Sequence, residues 1–226
     1  NDPAKILRTA RDATAVTLAG IAGCRVPRTS RIAAGQPLTA AFRDLSVPVL
    51  ARPAGTHGGD FFEKFDHVDV LTAFLAAHAD GDRYLIDYID YRSSDGFFRK
   101  YRFIFAGQDI LPYHLAIGES WKLHRDATDM GRHDWMQREE EGFLRDPGSV
   151  FAARHFEMLR TIKGRIGLDF FGIDCALDAA GDLVVFEVNA SMLVHNENLD
   201  FPYKDAFIRD IKVAFDAMLA GLAQAG

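Results

Sequence analysis

Two apolar, β-branched segments lying close together near the carboxyl end constrain this chain more than any other feature. They are Gly172-Ile173-Asp174-Cys175-Ala176-Leu177 and Leu183-Val184-Val185-Phe186-Glu187-Val188-Asn189. The residues between them, Asp178-Ala179-Ala180-Gly181-Asp182, have turn chemistry, so the pair reads as a β-hairpin. Side chains alternate between the faces of a strand, which puts Glu187 and Asn189 on one face and Val188 on the other. If Asp178 pairs with Leu183, Asp174 lies directly across from Glu187. Two carboxylates and one amide oxygen then share a sheet face. That set suits Mg²⁺, which takes one or two carboxylates plus substrate phosphates. An ordinary surface hairpin is the plainer alternative, but the flanking residues are apolar, and a buried charge needs a partner.

The rest of the composition narrows the class. With 226 residues, 48% hydrophobic and 26% charged, the chain is long and apolar enough for one large core or two small ones. A net charge of -6 gives no support for a nucleic-acid groove. No apolar run approaches the roughly 18 residues that span a bilayer, and no signal peptide opens the chain. Cys24 and Cys175 are far apart in apolar stretches and read as reduced core thiols, which points to a cytoplasmic location. The first residue is Asn1, not Met, so the chain reads as a piece of a longer protein with other domains.

Along the chain, residues 4–20 have helical composition and 25–29 form a short extended piece. Val47 to Pro53 reads as a strand running into the glycine-rich loop Ala54-Gly55-Thr56-His57-Gly58-Gly59-Asp60, with a second strand over 61–65. Asp69 is placed to cap a helix with apolar positions Val70, Leu71, Phe74 and Leu75. Tyr84 to Tyr91 reads as a strand. The boundary falls near 91, giving an N-terminal helical linker (1–23) and two α+β subdomains (24–91 and 92–226). In the second block, 97–106 alternates with Lys100, Arg102 and Ile104 on one face and Arg99, Tyr101 and Phe103 on the other. A strand over 110–117 follows. The stretch 118–148, with Arg138-Glu139-Glu140-Glu141, is weakly patterned and reads as a functional or mobile loop. Helices are expected over 150–166 and 202–222, the latter with Phe207, Ile211, Phe215, Met218 and Leu222 on a face that serves either the core or a homo-oligomer contact.

Gly55, Gly58 and Gly59 let backbone N–H groups approach a phosphate closely. The loop is neither a P-loop, since no Gly-Lys-Ser/Thr follows, nor a dinucleotide fingerprint, since no helix plainly starts there. Arg52 precedes it and can hold a phosphate or sit in a surface ion pair. Lys100 and Arg102 need an anion or open solvent, and His114 can join them. The histidines have no zinc-ligand spacing, and no nucleophile elbow is present.

The order of these motifs resembles that of the ATP-grasp superfamily. The segment Gly167 to Asp174 with Val185 to Ser191 resembles the metal-binding end of its glutathione-synthetase-like and glutamate-ligase-like, ribosomal-protein-modifying branch. Pro48 to Gly59 resembles its phosphate-covering hairpin. The resemblance runs from about residue 5 to 220 and implies an α+β ATP-grasp fold of two subdomains with nucleotide bound between them. It implies Mg²⁺ (with Mn²⁺ as a substitute) on Asp174, Glu187 and Asn189. It implies ATP contacts from Arg52, Gly55, Thr56, His57, Gly58, Gly59, Lys100 and the segment Asp87, Tyr88, Ile89 and Asp90. Arg102 would face the transferred phosphate or the acyl substrate and Arg52 would contact phosphate, both neutralising charge during transfer, with His114 and Lys122 as weaker matches. Two departures stand out: Arg52 replaces a lysine, and residues 28–43 hold Arg28, Arg31 and Arg43 but no second phosphate-binding lysine. The small domain that usually precedes the nucleotide fold has no counterpart in this chain.

The activity so implied is a carboxylate–amine (or thiol) ligase. A small-molecule or peptide carboxylate takes the γ-phosphate, and an amine then displaces phosphate from the acylphosphate. The stretch with Trp121, Lys122, His124 and Arg125 would order over the substrate to exclude water. The alternatives are an ATP-binding module without ligase activity and an ATP-grasp phosphotransferase.

Overall fold

The computed structural model describes residues 1–36, 46–55, 61–123, 128–195 and 198–225. The chain separates into two compact units, Asn1–Val26 together with Tyr91–Gly226, and Pro27–Asp90. Among the described residues the strands are β1 (Cys24–Arg25), β2 (Thr29–Ile32), β3 (Val49–Pro53), β4 (Glu63–Phe65), β5 (Arg83–Asp87), β6 (Phe98–Ala106), β7 (Asp109–Gly118), β8 (Phe170–Leu177) and β9 (Leu183–Asn189). The α-helices are α1 (Pro3–Ile6), α2 (Arg11–Thr17), α3 (Val68–Ala77), α4 (Asp134–Arg145), α5 (Ala153–Ile166) and α6 (Asp205–Ala225). Among the described residues no helix is long and apolar enough to cross a membrane.

The larger unit is built on a five-stranded sheet in the order β1-β9-β8-β6-β7. Only β1 runs parallel to its neighbour; the other pairs are antiparallel. Strand alternation divides the sheet into two chemically different faces. On one, Tyr101, Phe103, Phe105, Leu115, Ile117, Phe171, Ile173 and Val185 meet Phe143 and Leu144 of α4 and Leu159, Ile162 and Ile166 of α5 in one apolar cluster. Each such side chain, fully buried, contributes on the order of 1.5–3 kcal/mol. The opposite face carries Lys100 and Arg102.

Helix α4 corrects the reading of 118–148 as an unpatterned loop. Met136, Glu140, Phe143 and Leu144 are its buried residues, at the i, i+4, i+7, i+8 spacing of a helical stripe. A glutamate stands in the middle of that stripe, so the apolar pattern is interrupted where a reader would look for it.

The segment 1–23 is likewise part of the larger unit and not a linker outside it. Its helix breaks at Ala10, which is extended (φ -60, ψ 143). Arg8 donates to the carbonyls of Arg165 and Ile166 at the end of α5, where carbonyls lack helical partners. Arg165 in turn donates to the carbonyls of Thr17 and Ala19 at the end of α2. Leu18 and Ile21 enter the main core.

The smaller unit is an antiparallel sheet in the order β2-β5-β3-β4. Leu71 and Leu75 of α3 pack on Ile32, Val49, Ala51, Phe65 and Leu85. Helix α3 starts at Val68, so Asp69 lies in its first turn instead of capping it, where its charge complements the helix dipole. Val70 is exposed, and the buried stripe is Leu71 and Leu75 with Phe74 packed beside them. Strand β5 ends at Asp87, short of the expected Tyr91.

Candidate active site

The polar face of the larger sheet is organised by strand register. His114 pairs with Arg102, Arg102 with Asp174, and Asp174 with Glu187, so the four residues form one row across β7, β6, β8 and β9. The next pleat holds Gly172 opposite Asn189. The facing of Asp174 and Glu187 is as expected, but it arises differently. Leu183 pairs with Leu177, not with Asp178, and the register shifts between Asp174 and Cys175. Phe186 is the extra residue of this bulge. Without it, Glu187 would share the core face with Val185. A second irregularity lies between Arg102 and Phe103, where Tyr113 is the extra residue beside Pro112, which has no N–H to give to the ladder.

Asp174 is buried and tied to two cations. Arg102 grips it through both oxygens (Nε–Oδ1 2.6 Å, Nη2–Oδ2 2.9 Å). Lys100 Nζ lies 3.4 Å from Oδ2 and donates to the Leu123 carbonyl at 2.7 Å. Burial pushes the Asp174 carboxyl up, but the charges of Lys100 and Arg102 overcome it and hold the group well below the ordinary carboxylate range. Glu187 accepts a hydrogen bond from Arg11 Nη2 at 3.0 Å. Asn189 Oδ1 accepts from the Ser191 N–H at 2.8 Å.

Apolar clusters border this row on both sides. Tyr91, Phe98, Ala116, Leu123 and Ala176, with Trp121 and Phe186 against them, form one. Ile104, Tyr113, Met192, Ile208 and Ile211 form the other. Gly172 gives the second its room: a Cβ there would stand 2.6 Å from Met192 Cγ and would displace the Met192 side chain that packs over the sheet. Charges set between apolar walls are screened less than charges in open water.

The remaining expected ATP contacts lie in the smaller unit. Arg52 is buried on β3, its guanidinium 5.3 Å from the centre of the Phe62 ring. Gly55 takes a left-handed turn after β3 (φ 77) with open space where a Cβ would sit. Thr56, His57, Gly58 and Gly59 lie outside the described residues, as do Arg43, His124 and Arg125. Asp87 Oδ2 accepts from Arg28 Nε at 3.2 Å. Lys64 Nζ sits 4.9 Å over the Tyr88 ring. Ile89 is half-buried and Asp90 exposed. Arg31 is paired with Asp82.

No family model matches the sequence, and no curated protein matches it. Solved structures do. The ligase PsnB, solved with a precursor peptide and AMPPNP, superposes with a TM-score of 0.53 at 15% identity over 92% of this chain and 59% of that one. The D-Ala:D-Ser ligase VanG from Enterococcus faecalis gives 0.56 at 16% over 92% and 62%. A D-alanine–D-alanine ligase from Bacillus anthracis, complexed with ATP, gives 0.59 at 11% over 96% and 68%.

This is an ATP-grasp fold. The chain spans about three-fifths of the length of PsnB and VanG.

Whether the polar face of this ATP-grasp sheet suits Mg²⁺ follows from what its oxygens still have to offer. A carboxylate has about four lone-pair positions. Arg102 and Lys100 engage Asp174 at three contacts. Arg11 engages Glu187 at one, and Ser191 engages the Asn189 oxygen at one. Each group therefore keeps acceptor capacity. Among the described residues no three His, Cys, Asp or Glu side chains gather as a metal-binding group. Two carboxylates and an amide make an oxygen-only set, which fits a hard cation that fills its shell with water and phosphate.

A second buried carboxylate in the ATP-grasp sheet unit escaped the sequence reading. Glu140 of α4, with 0% exposure, accepts at Oε1 from Lys204 Nζ (2.8 Å), the Leu115 N–H (3.1 Å) and His114 Nδ1 (2.5 Å). Its Oε2 accepts from the Tyr203 hydroxyl at 2.5 Å. Burial pushes Glu140 up, but His114 and Lys204 more than reverse this and bring it down to about 2. Burial lowers His114 against the opposing pull of Glu140. His114, a weak candidate for phosphate contact, thus has its Nδ1 committed to Glu140. The helical spacing of Met136, Glu140 and Phe143 was the available signal; nothing in the sequence marked Lys204 or Arg11.

Proposed function

We propose that the chain is an ATP- and Mg²⁺-dependent ligase that joins a carboxylate to an amine. The observation that supports this most directly is the register that sets Asp174 against Glu187, with Asn189 one pleat away and Arg102 on Asp174. On this reading Asp174, Glu187 and Asn189 hold the metal, which supplies charge neutralisation at the nucleotide phosphates. Arg102 and Lys100 lie beside that set and neutralise charge on the transferred phosphoryl group. In the smaller unit, Arg52, Gly55 and the segment Asp87 to Asp90 contact ATP, together with Thr56 to Gly59.

The substrate carboxylate oxygen bonds to the γ-phosphorus as the bond to the β-bridging oxygen breaks, giving an acylphosphate and ADP. The amine nitrogen then bonds to the acyl carbon, phosphate leaves, and the nitrogen loses a proton. No side-chain nucleophile is needed, so the protein contributes position and electrostatics. The substrate is a small molecule or a peptide.

The test incubates the protein with Mg-ATP and pools of amino acids or peptides and measures ADP together with product mass. ADP and a mass gain matching loss of water between two substrates are expected, and Glu187→Gln or Asn189→Ala should abolish both. Unchanged turnover in either variant would sink the assignment. Mg-ATP binding without ADP would indicate a nucleotide-binding module, and phosphorylated product without amide a phosphotransferase.

A further inference from the structure

We propose that Arg11, on helix α2, is a positioning residue for Glu187 and determines which of its carboxylate oxygens is offered to a metal ion. The inference rests on the reading of Asp174, Glu187 and Asn189 as that ion's ligands.

The contact is a two-point one. Arg11 Nη2 donates to Glu187 Oε2 at 3.0 Å, and Nη1 donates to the Phe186 carbonyl at 3.2 Å. A planar guanidinium anchored on the Phe186 carbonyl fixes where its second N–H meets the carboxylate, and so which oxygen it engages. The two acceptors are adjacent residues at the β9 bulge. The extra residue of a bulge is left out of the ladder, and Arg11 takes up the carbonyl of that residue. The bulge that puts Glu187 opposite Asp174 therefore also creates the second anchor for the arginine.

Helix α2 is short but fixed. Arg165 caps its last carbonyls, Thr14 Oγ1 donates to the Arg8 carbonyl, and Leu18 is fully buried at its end. An arginine on such a support serves as a fixed reference point. With Oε2 engaged, Oε1 is the oxygen left unshared among the described residues. Arg11 is a cation and cannot itself bind the ion. Ligand carboxylates are commonly hydrogen-bonded from behind, and loss of such a partner typically costs ~10–100-fold in metal affinity.

The experiment titrates Mg²⁺ into the full chain holding saturating AMPPNP and, separately, AMPPNP into the metal-free chain. Arg11→Ala and Arg11→Gln should weaken Mg²⁺ binding by roughly 10–100-fold and leave metal-free AMPPNP affinity unchanged. Arg11→Lys should restore only part of the loss, because an ammonium cannot span both acceptors. If Arg11→Ala does not fold, the Gln and Lys variants decide the question. Mg²⁺ affinity equal to or above wild type in Arg11→Ala or Arg11→Gln overturns the proposal, since the arginine would then be idle or a competitor of the ion. Equal weakening of metal-free AMPPNP binding also overturns it, because the effect would then be a general loosening of structure. A different result marks failure of the underlying site: wild type that takes up no Mg²⁺, or Glu187→Gln that binds it as wild type does, removes the metal site and this inference with it.

Discussion

Asp174 and Glu140 are both buried carboxylates in the same unit, and both are held ionised by neighbouring cations, yet they are built for opposite ends. Glu140 is closed: four donors, two from β7 and two from the segment before α6, converge on it. Asp174 is open: its cations are Arg102 and Lys100, whose side chains keep 28% and 24% exposure, and it stands beside Glu187 with acceptor capacity to spare. Burial and a lowered pKa alone do not separate a structural from a functional carboxylate. What separates them is whether the donors saturate the oxygens.

The sharpest way to break this contrast is Glu140→Ala. It strands Lys204, which is only 6% exposed, and breaking a buried pair in this way costs about 3–5 kcal/mol. Chemical denaturation should show that loss; a cost under about 1 kcal/mol, the range of a surface pair, would mean the cluster is not structural. Low pH should act on the same centre. Glu140 falls from the ordinary 4.5 to about 2 in the folded chain. A depressed carboxyl stabilises fully above its unfolded pKa and loses that contribution as pH falls through the folded value. The loss between pH 4.5 and 2 should amount to about 3 kcal/mol. His114, lowered by burial, adds destabilisation in the same direction, beginning as pH drops through the ordinary histidine value of 6.5. Stability curves in Glu140→Gln should lose this share of the acid limb and keep the share that Asp174 contributes.

Tyr203→Phe removes one donor to a charged acceptor and should cost about 1.5–3 kcal/mol, read as a shifted denaturation midpoint with Mg²⁺ affinity unchanged. Asp174→Asn should behave in reverse. Its partners can be rehydrated, so stability should fall by only about 1–2 kcal/mol, less than for a sealed pair, while Mg²⁺ binding is lost. A stability cost for Asp174→Asn as large as that for Glu140→Ala would erase the distinction.

Much of the fold was legible because its signals are local. Alternation placed Lys100 and Arg102 on one face of β6 and Tyr101 and Phe103 on the other. The β8–β9 hairpin was visible from its composition. Helix α4 was not, because Glu140 occupies a core position that only its distant donors make tolerable. The register was right at Asp174 and Glu187 but wrong at the turn, and a bulge at Phe186 reconciles the two.

Between bulges, the sequence by itself determined which side chains share a strand face, because a period of two residues is a property of the local backbone. It also supplied the oxygen donors, whose chemistry does not depend on context. Tertiary structure alone decided which cation meets which carboxylate: Arg11 reaches Glu187 across 176 positions, and Lys204 reaches Glu140 across 64. Loop-closure entropy grows only slowly with separation, so distance along the chain neither selects nor forbids such partners. The choice falls to the packing that brings α2 and the segment before α6 against the sheet unit.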